Sequence, residues 1–206
     1  IINFISIFMN IEIKFMIELD IFSDTVCPWC YIGKKRLEKA ISNHKDTKFK
    51  QTWRPFQLNP GMPPDGMDRQ EYLISKFGSA DAAKTIYDNI YAEGLLEGIN
   101  FNFDSIMTTP NSFNSHRLLA LAYKQGVQEN VLDSLFESYF LNGEDIGDPN
   151  VLLDIAIKHK IDAEDFKSYL SDQENIEPLA NEEIQARKMG INSVPTFIIN
   201  KQIVIN

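Results

Sequence analysis

Cys27 and Cys30 are the chain's only two cysteines, and Pro28 and Trp29 stand between them. A pair this close cannot staple a small secreted fold, so its spacing points to chemistry rather than architecture. A thiolate attacks a disulfide sulfur, and a second thiol one helical turn away can displace what the first has bound. Proline at the first helical position has no N–H to lose and a φ suited to a helix, so Cys27 reads as an N-cap and Pro28 as the first helical residue. The Cys27 sulfur is then expected to face unpaired amides at the positive end of the helix dipole, which favours the thiolate and makes Cys27 the nucleophile. Cys30, three residues on, shares its helix face and is expected to resolve the mixed disulfide.

Two plainer readings stand beside this one. Free cysteines often serve as small buried hydrophobes, but a strand-to-helix junction is a poor place for two of them by accident. Zinc needs about four ligands, and His44, His116 and His159 show no paired spacing that would complete a site, so no metal is expected.

The elements that must position the cysteines follow from the pattern on either side. Residues 17–22 alternate as a short strand, Ser23-Asp24-Thr25 turn, and a helix is predicted over 28–41 with Leu37, Ala40 and Ile41 as an apolar stripe. A second strand is predicted over 48–53. The turn-rich segment Asn59-Pro60-Gly61 and Pro63-Pro64-Asp65-Gly66 then opens a long helical block. Asp68 to Glu71 has cap-and-acid spacing, and further helices are predicted over 80–96, 112–125, 130–141, 149–160, 163–171 and 177–189. Two strands at 196–199 and 202–205, joined by Asn200-Lys201, read as a hairpin. The order is that of a small mixed sheet interrupted by a helical insertion: residues 16–60 and 177–206 form one unit, and 61–176 form the all-helical subdomain. The two ends of the chain must meet, which brings the Val194-Pro195 corner towards the cysteines.

With 206 residues, 44% hydrophobic and 24% charged, the chain can bury an ordinary core. A formal net charge of -9 argues against nucleic acid, whose binding depends on Lys and Arg neutralising phosphates. Residues 1–15 are apolar but broken by Asn3, Asn10, Glu12 and Lys14, with neither an export signal nor a membrane span. They read as an extension of doubtful status, with Met16, ahead of Met9, as the expected natural start and the cytoplasm as the expected compartment.

Asp24-Thr25-Val26-Cys27-Pro28-Trp29-Cys30 with Gly33 resembles the FrnE-like branch of the DsbA family. Trp53 to Pro60, Asn111 to Leu118 and Gly190 to Phe197 resemble that family in the same order, so the likeness spans about residues 16–206. The resemblance implies an α/β protein, a thioredoxin fold with an inserted helical subdomain. It also implies a reactive Cys27 and a cis-proline facing it, which would be Pro195; an ordinary trans proline opening a strand is the plainer reading. Pro28, Trp29, Val194 and Pro195 are the residues it places against substrate, with an extended peptide pairing to the Val194 backbone. The family continues past the last strand with a glycine and a further helix, whereas this sequence stops at Asn206, so the thioredoxin-like unit reads as C-terminally incomplete, with one sheet face uncovered.

The activity implied is thiol–disulfide exchange with protein or small thiol substrates, with no bound cofactor and with glutathione or a cellular dithiol as co-substrate. A homodimer is compatible with this reading. In a reducing cytoplasm, reduction or isomerisation is expected over net oxidation. The alternative is a glutathione-dependent isomerase or transferase, as in 2-hydroxychromene-2-carboxylate isomerase and the kappa-class glutathione transferases. Those relatives typically carry serine at the first motif position and need no resolving thiol. A non-catalytic peptide-binding or chaperone module is a second alternative.

Four further features are weighed without a committed role. His116 is either an acid–base group of the cleft or a satisfied helix residue. Asn59 and Asn111 are expected to serve local turns. The Lys34-Lys35-Arg36 run either assists the thiolate, attracts acidic substrates or forms a solvated helix face. Phe101, Phe103, Phe113, Tyr87 and Tyr91 are expected in the core of the insertion.

Overall fold

In a computed structural model, residues 16–206 are described, and the reading of residues 1–15 lies outside them. Strand β1 (Met16–Ser23), helix α1 (Pro28–Ser42) and strand β2 (Lys48–Pro55) form a βαβ unit with the two strands parallel. The chain closes with β5 (Thr196–Ile199) and β6 (Ile203–Ile205), giving a mixed sheet in the order β2-β1-β5-β6. Asn200 and Lys201 have φ of 49° and 58°, the conformation a two-residue hairpin turn requires, so β6 starts at Ile203 and not at 202. Asn200 also exchanges hydrogen bonds with the Glu18 backbone, through its own N–H and its side-chain Oδ1, both at 2.9 Å.

Between β2 and the closing strands lie helices α2 (Arg69–Phe77), α3 (Ala80–Leu96), α4 (Phe113–Lys124), α5 (Gln128–Phe140), α6 (Pro149–Lys158), α7 (Ala163–Ser171) and α8 (Ile176–Lys188). Caps set several of their starts: Asp68, Ser79, Asp148 and Asp162 each accept a backbone N–H of the first turn. Helix α6 stops at Lys158 rather than 160, because Lys160 takes the left-handed conformation at φ 63°. A two-residue ribbon, β3 (Met67–Asp68) with β4 (Thr108–Thr109), was not foreseen in the sequence.

The two faces of the sheet bury different things. Leu19 and Ile21 join a large core that runs through Tyr31 and Ile32 of α1 into Leu118, Leu132, Phe136 and Phe140 of the helical block. Phe22 and Phe56 point the other way, into a small cluster with Ala186 of α8 and Ile191. The β1–β5 register pairs Phe22 with Thr196. The residues just before Thr196 therefore lie at the end of β1 where the cysteine loop leaves.

Candidate active site

Cys27 is the N-cap residue of α1, with extended backbone (φ -98°, ψ 112°), and Pro28 opens the helix. Both thiols are free. Both are also shielded: Cys27 is 3% exposed and Cys30 0%, whereas Trp29 between them is 40% exposed. One expectation is corrected here. The Cys27 sulfur makes no capping hydrogen bond to the first-turn amides; its thiol points instead to the Val194 carbonyl, 3.8 Å away. That carbonyl, expected to serve an extended peptide, is already engaged by the cysteine.

The Val194–Pro195 peptide is cis. Its approach to α1 depends on Gly33. A Cβ at Gly33 would sit 2.9 Å from Pro195 Cγ and 3.4 Å from Phe197 Cζ, so any side chain there would push the proline loop off the helix. A groove of about 700 Å³ runs from Trp29, Val194 and Pro195 along this flank of α1, floored by Leu19, Phe197 and Ile199. The stripe predicted for α1, Leu37, Ala40 and Ile41, lines this groove; the helix buries Cys30, Tyr31 and Lys34 on its other flank.

Cys30 differs from Cys27 in what surrounds it. Burial pushes its thiol well above the ordinary range, and the hydrogen bond and charge of the adjacent Cys27 push the same way. The Ser23 hydroxyl and the Asp24 backbone N–H pull it back. The Asp24 carboxylate is fully buried beneath the motif. It accepts the Leu58 N–H at 2.6 Å and meets His116 Nε2 at 3.3 Å. His116 is therefore a buried partner of Asp24, which the sequence does not reveal, because the two lie in separate elements. Thr25 and Ser115 hydroxyls bond at 2.7 Å beside them.

Tyr72 belongs to α2 and Tyr87 to α3. Burial raises the phenols of Tyr72 and Tyr87; Arg69 pulls both down, and the field of Cys27 adds to the rise. Arg69 is buried over the Tyr87 ring at 4.9 Å and donates to Thr109 Oγ1 at 3.1 Å.

The other weighed features resolve into structure. Lys34 is buried and paired with Glu38 and, at 2.7 Å, with Asp133, while Arg36 binds Glu97 at 2.8 Å and Glu93. Of the basic run, Lys34 is therefore buried and ion-paired, Lys35 is partly exposed, and Arg36 lies on an exposed face in ion pairs. Asn59 bonds Tyr72, and Asn111 bonds Met62 and Phe113. Phe101 is core, but Tyr91 is exposed and bonds Asn100, correcting its placement among the buried rings. Among the described residues no group of three or more His, Cys, Asp or Glu is arranged to hold a metal ion, and no helix is long and apolar enough to cross a membrane.

Residues 18–206 match the family model of the DSBA-like thioredoxin domain. The chain belongs to that family. An uncharacterized protein of Bacillus subtilis (strain 168), YwbO, is 25% identical over 198 residues, covering 91% of this chain and 89% of that one. A probable DsbA oxidoreductase from Streptomyces coelicolor has a similar structure, with a TM-score of 0.84 and 29% identity over 92% of this chain and 83% of its own. The cytosolic disulfide reductase DsbM from Pseudomonas aeruginosa, solved with GSH, shares the fold at a TM-score of 0.66 and 17% identity, over 92% of this chain and 89% of its own.

Proposed function

We propose that this member of the DSBA-like family is a thiol–disulfide oxidoreductase in which Cys27 is the nucleophile and Cys30 the resolver. The observation that carries the reading is the pair of adjacent free thiols at the start of α1, in unlike surroundings, opposite Val194 and Pro195. Cys27 attacks one sulfur of a substrate disulfide, forming a mixed disulfide and releasing the other sulfur as a thiolate. Cys30 then attacks Cys27 Sγ; the Cys27–Cys30 bond forms, the bond to substrate breaks, and its electron pair leaves on the substrate sulfur. Two glutathione molecules in turn, or one dithiol, reverse these steps on the enzyme and return the electrons. The apolar groove beside Trp29 and Pro195 suits an apolar segment of a protein substrate, and the cytoplasm is the compartment in which reduction or isomerisation fits this cycle.

A redox titration in glutathione buffers, with free thiols trapped by alkylation and read as mass, tests this. A reversible two-electron couple that disappears in Cys27→Ser is expected. The potential assigns direction, since reference values run from about -120 mV for DsbA to about -270 mV for thioredoxin. A folded chain whose two thiols never join in any buffer sinks the reading and leaves glutathione-dependent isomerisation of small molecules as the one to test.

A further inference from the structure

Helix α2 begins at Arg69, whose N–H donates to the Met107 carbonyl at 2.9 Å while Asp68 pairs with Thr108 in the β3–β4 ribbon. This seam seats the Arg69 side chain inside the helical block, where it is 5% exposed. Its partners there are all neutral: Thr109 Oγ1 at 3.1 Å, the Tyr139 phenol at 3.5 Å, and the rings of Tyr87 and Tyr72 at 4.9 and 5.8 Å. No carboxylate among the described residues lies within ion-pairing distance of it, whereas Arg36, Arg54 and Arg187 each hold one. Arg117 is as deeply buried without a carboxylate, but it spends Nε and both Nη atoms on four oxygens. The hydrogen bonds of Arg69 leave from Nη1 alone. A guanidinium stays charged at any ordinary pH, so burying one without a counter-charge is costly.

The charge is not sealed in. A cavity of about 600 Å³ lies against Arg69, between α2, α3 and the 101–107 segment, a volume typical of small-molecule sites. None of Cys27, Cys30, Val194 or Pro195 lines it. One wall is aromatic: Phe101 and Phe103 stack with centroids 4.6 Å apart, and Tyr87 meets Phe103 edge-on at 4.8 Å. Most of the other charges at its edge are already engaged. Lys84 is held by Asp88 at 2.7 Å, and Asp68 accepts two first-turn amides of α2. Asp81 and Asp104 remain, both exposed and both without an ion pair among the described residues.

We propose that this cavity is a binding site for a free amino acid with an apolar side chain. Its α-carboxylate pairs with the Arg69 guanidinium, its ammonium faces Asp81 and Asp104, and its side chain lies on the aromatic wall. The arginine fork matches a carboxylate with two parallel hydrogen bonds. Inorganic phosphate answers the guanidinium but carries its extra charge towards two unpaired carboxylates, and a simple carboxylic acid leaves those carboxylates unanswered. A zwitterion satisfies both ends at once. Nothing in this inference depends on the exchange cycle.

Binding is read on the full chain by amide NMR, with L-phenylalanine and L-leucine titrated first, then 3-phenylpropionate, phenethylamine and inorganic phosphate, each to about 10 mM. Saturable shifts confined to residues 69–73, 80–91 and 101–107 are expected with the amino acids. The two half-molecules, acid without amine and amine without acid, should each bind about tenfold more weakly than L-phenylalanine. Arg69→Met keeps the length of the side chain and drops its charge, and is expected to weaken L-phenylalanine about tenfold. Should that variant not fold, the exposed pair Asp81→Asn with Asp104→Asn carries the test: L-phenylalanine weakens and 3-phenylpropionate does not. The proposal is overturned if neither amino acid saturates, if phosphate or 3-phenylpropionate binds the unaltered chain as tightly as L-phenylalanine, or if the shifts fall at residues 193–199 instead. Unchanged L-phenylalanine binding in folded Arg69→Met or in the double variant overturns it as well.

Discussion

Helix α1 has two flanks of opposite character. Towards the helical block it is closed: Tyr31 stacks on Phe136 with ring centroids 4.9 Å apart and meets Phe101 edge-on, and Lys34 is buried among carboxylates. Towards β5 it is open: Gly33 lets Pro195 come close, and the groove beyond is lined mostly by apolar side chains. The cysteines sit where these flanks meet. The contrast suggests a division of labour in which the closed flank fixes the helix and the open flank receives what the helix acts upon.

The division can be broken from the closed side first. Tyr31→Ala removes the ring at the centre of the aromatic stack and is expected to destabilise the fold by about 3–5 kcal/mol, read as a lower midpoint in chemical denaturation. The molecules still folded should exchange thiols normally. A loss of exchange without a loss of stability would contradict the division. Lys34→Met leaves Asp133 and Glu38 with Lys35 as their remaining cation; both are about a third exposed, so Lys35 and water take up part of the loss and about 1–2 kcal/mol is expected.

The open side is tested by Gly33→Ala. Its Cβ cannot fit against Pro195 without moving the loop by several tenths of an ångström, so exchange should slow about tenfold while the denaturation midpoint changes little. A variant with an unfolding defect as large as that of Tyr31→Ala would show that Gly33 serves the core rather than the site.

The smallest expected effect is the closed flank's share of an alkaline pH dependence. Burial, aided by Glu137, Asp133 and Glu38, pushes the Tyr31 phenol up to about 12. Burial lowers the Lys34 ammonium, but Asp133 and Glu38 outweigh it and hold that group above its ordinary value. Both groups have folded values above their unfolded ones. Their contribution is therefore complete below the unfolded values near pH 10 and is lost as pH rises through the folded ones. Denaturation midpoints measured from about pH 9 to about pH 11 should fall, and Tyr31→Phe should flatten the decline. An equal slope in Tyr31→Phe would remove the tyrosine from the account.

Local signals made much of this legible before any coordinates. Ser79 and Asp162 fix the starts of α3 and α7, and both helices span the predicted residues, because a cap is a property of a few adjacent residues. The cysteine pair and the proline between strand and helix carried the site for the same reason. What escaped depends on distant residues meeting. Lys34 in a basic run reads as solvated until Asp133 is seen across from it. His116 has no visible role until Asp24 is found beneath the motif, and the β3–β4 ribbon joins two residues to two others some forty positions away.

The chain has two tryptophans, and they occupy opposite environments. Trp29, between the thiols, is 40% exposed at the mouth of the groove, whereas Trp53 is buried in β2 with its indole N–H unpaired. An indole in water emits at longer wavelength than one in an apolar interior, so the molecule carries two separable optical reporters. Red-edge emission follows events at the cysteines, blue-edge emission follows the integrity of the sheet, and chemistry and unfolding can be watched in one cuvette without a label.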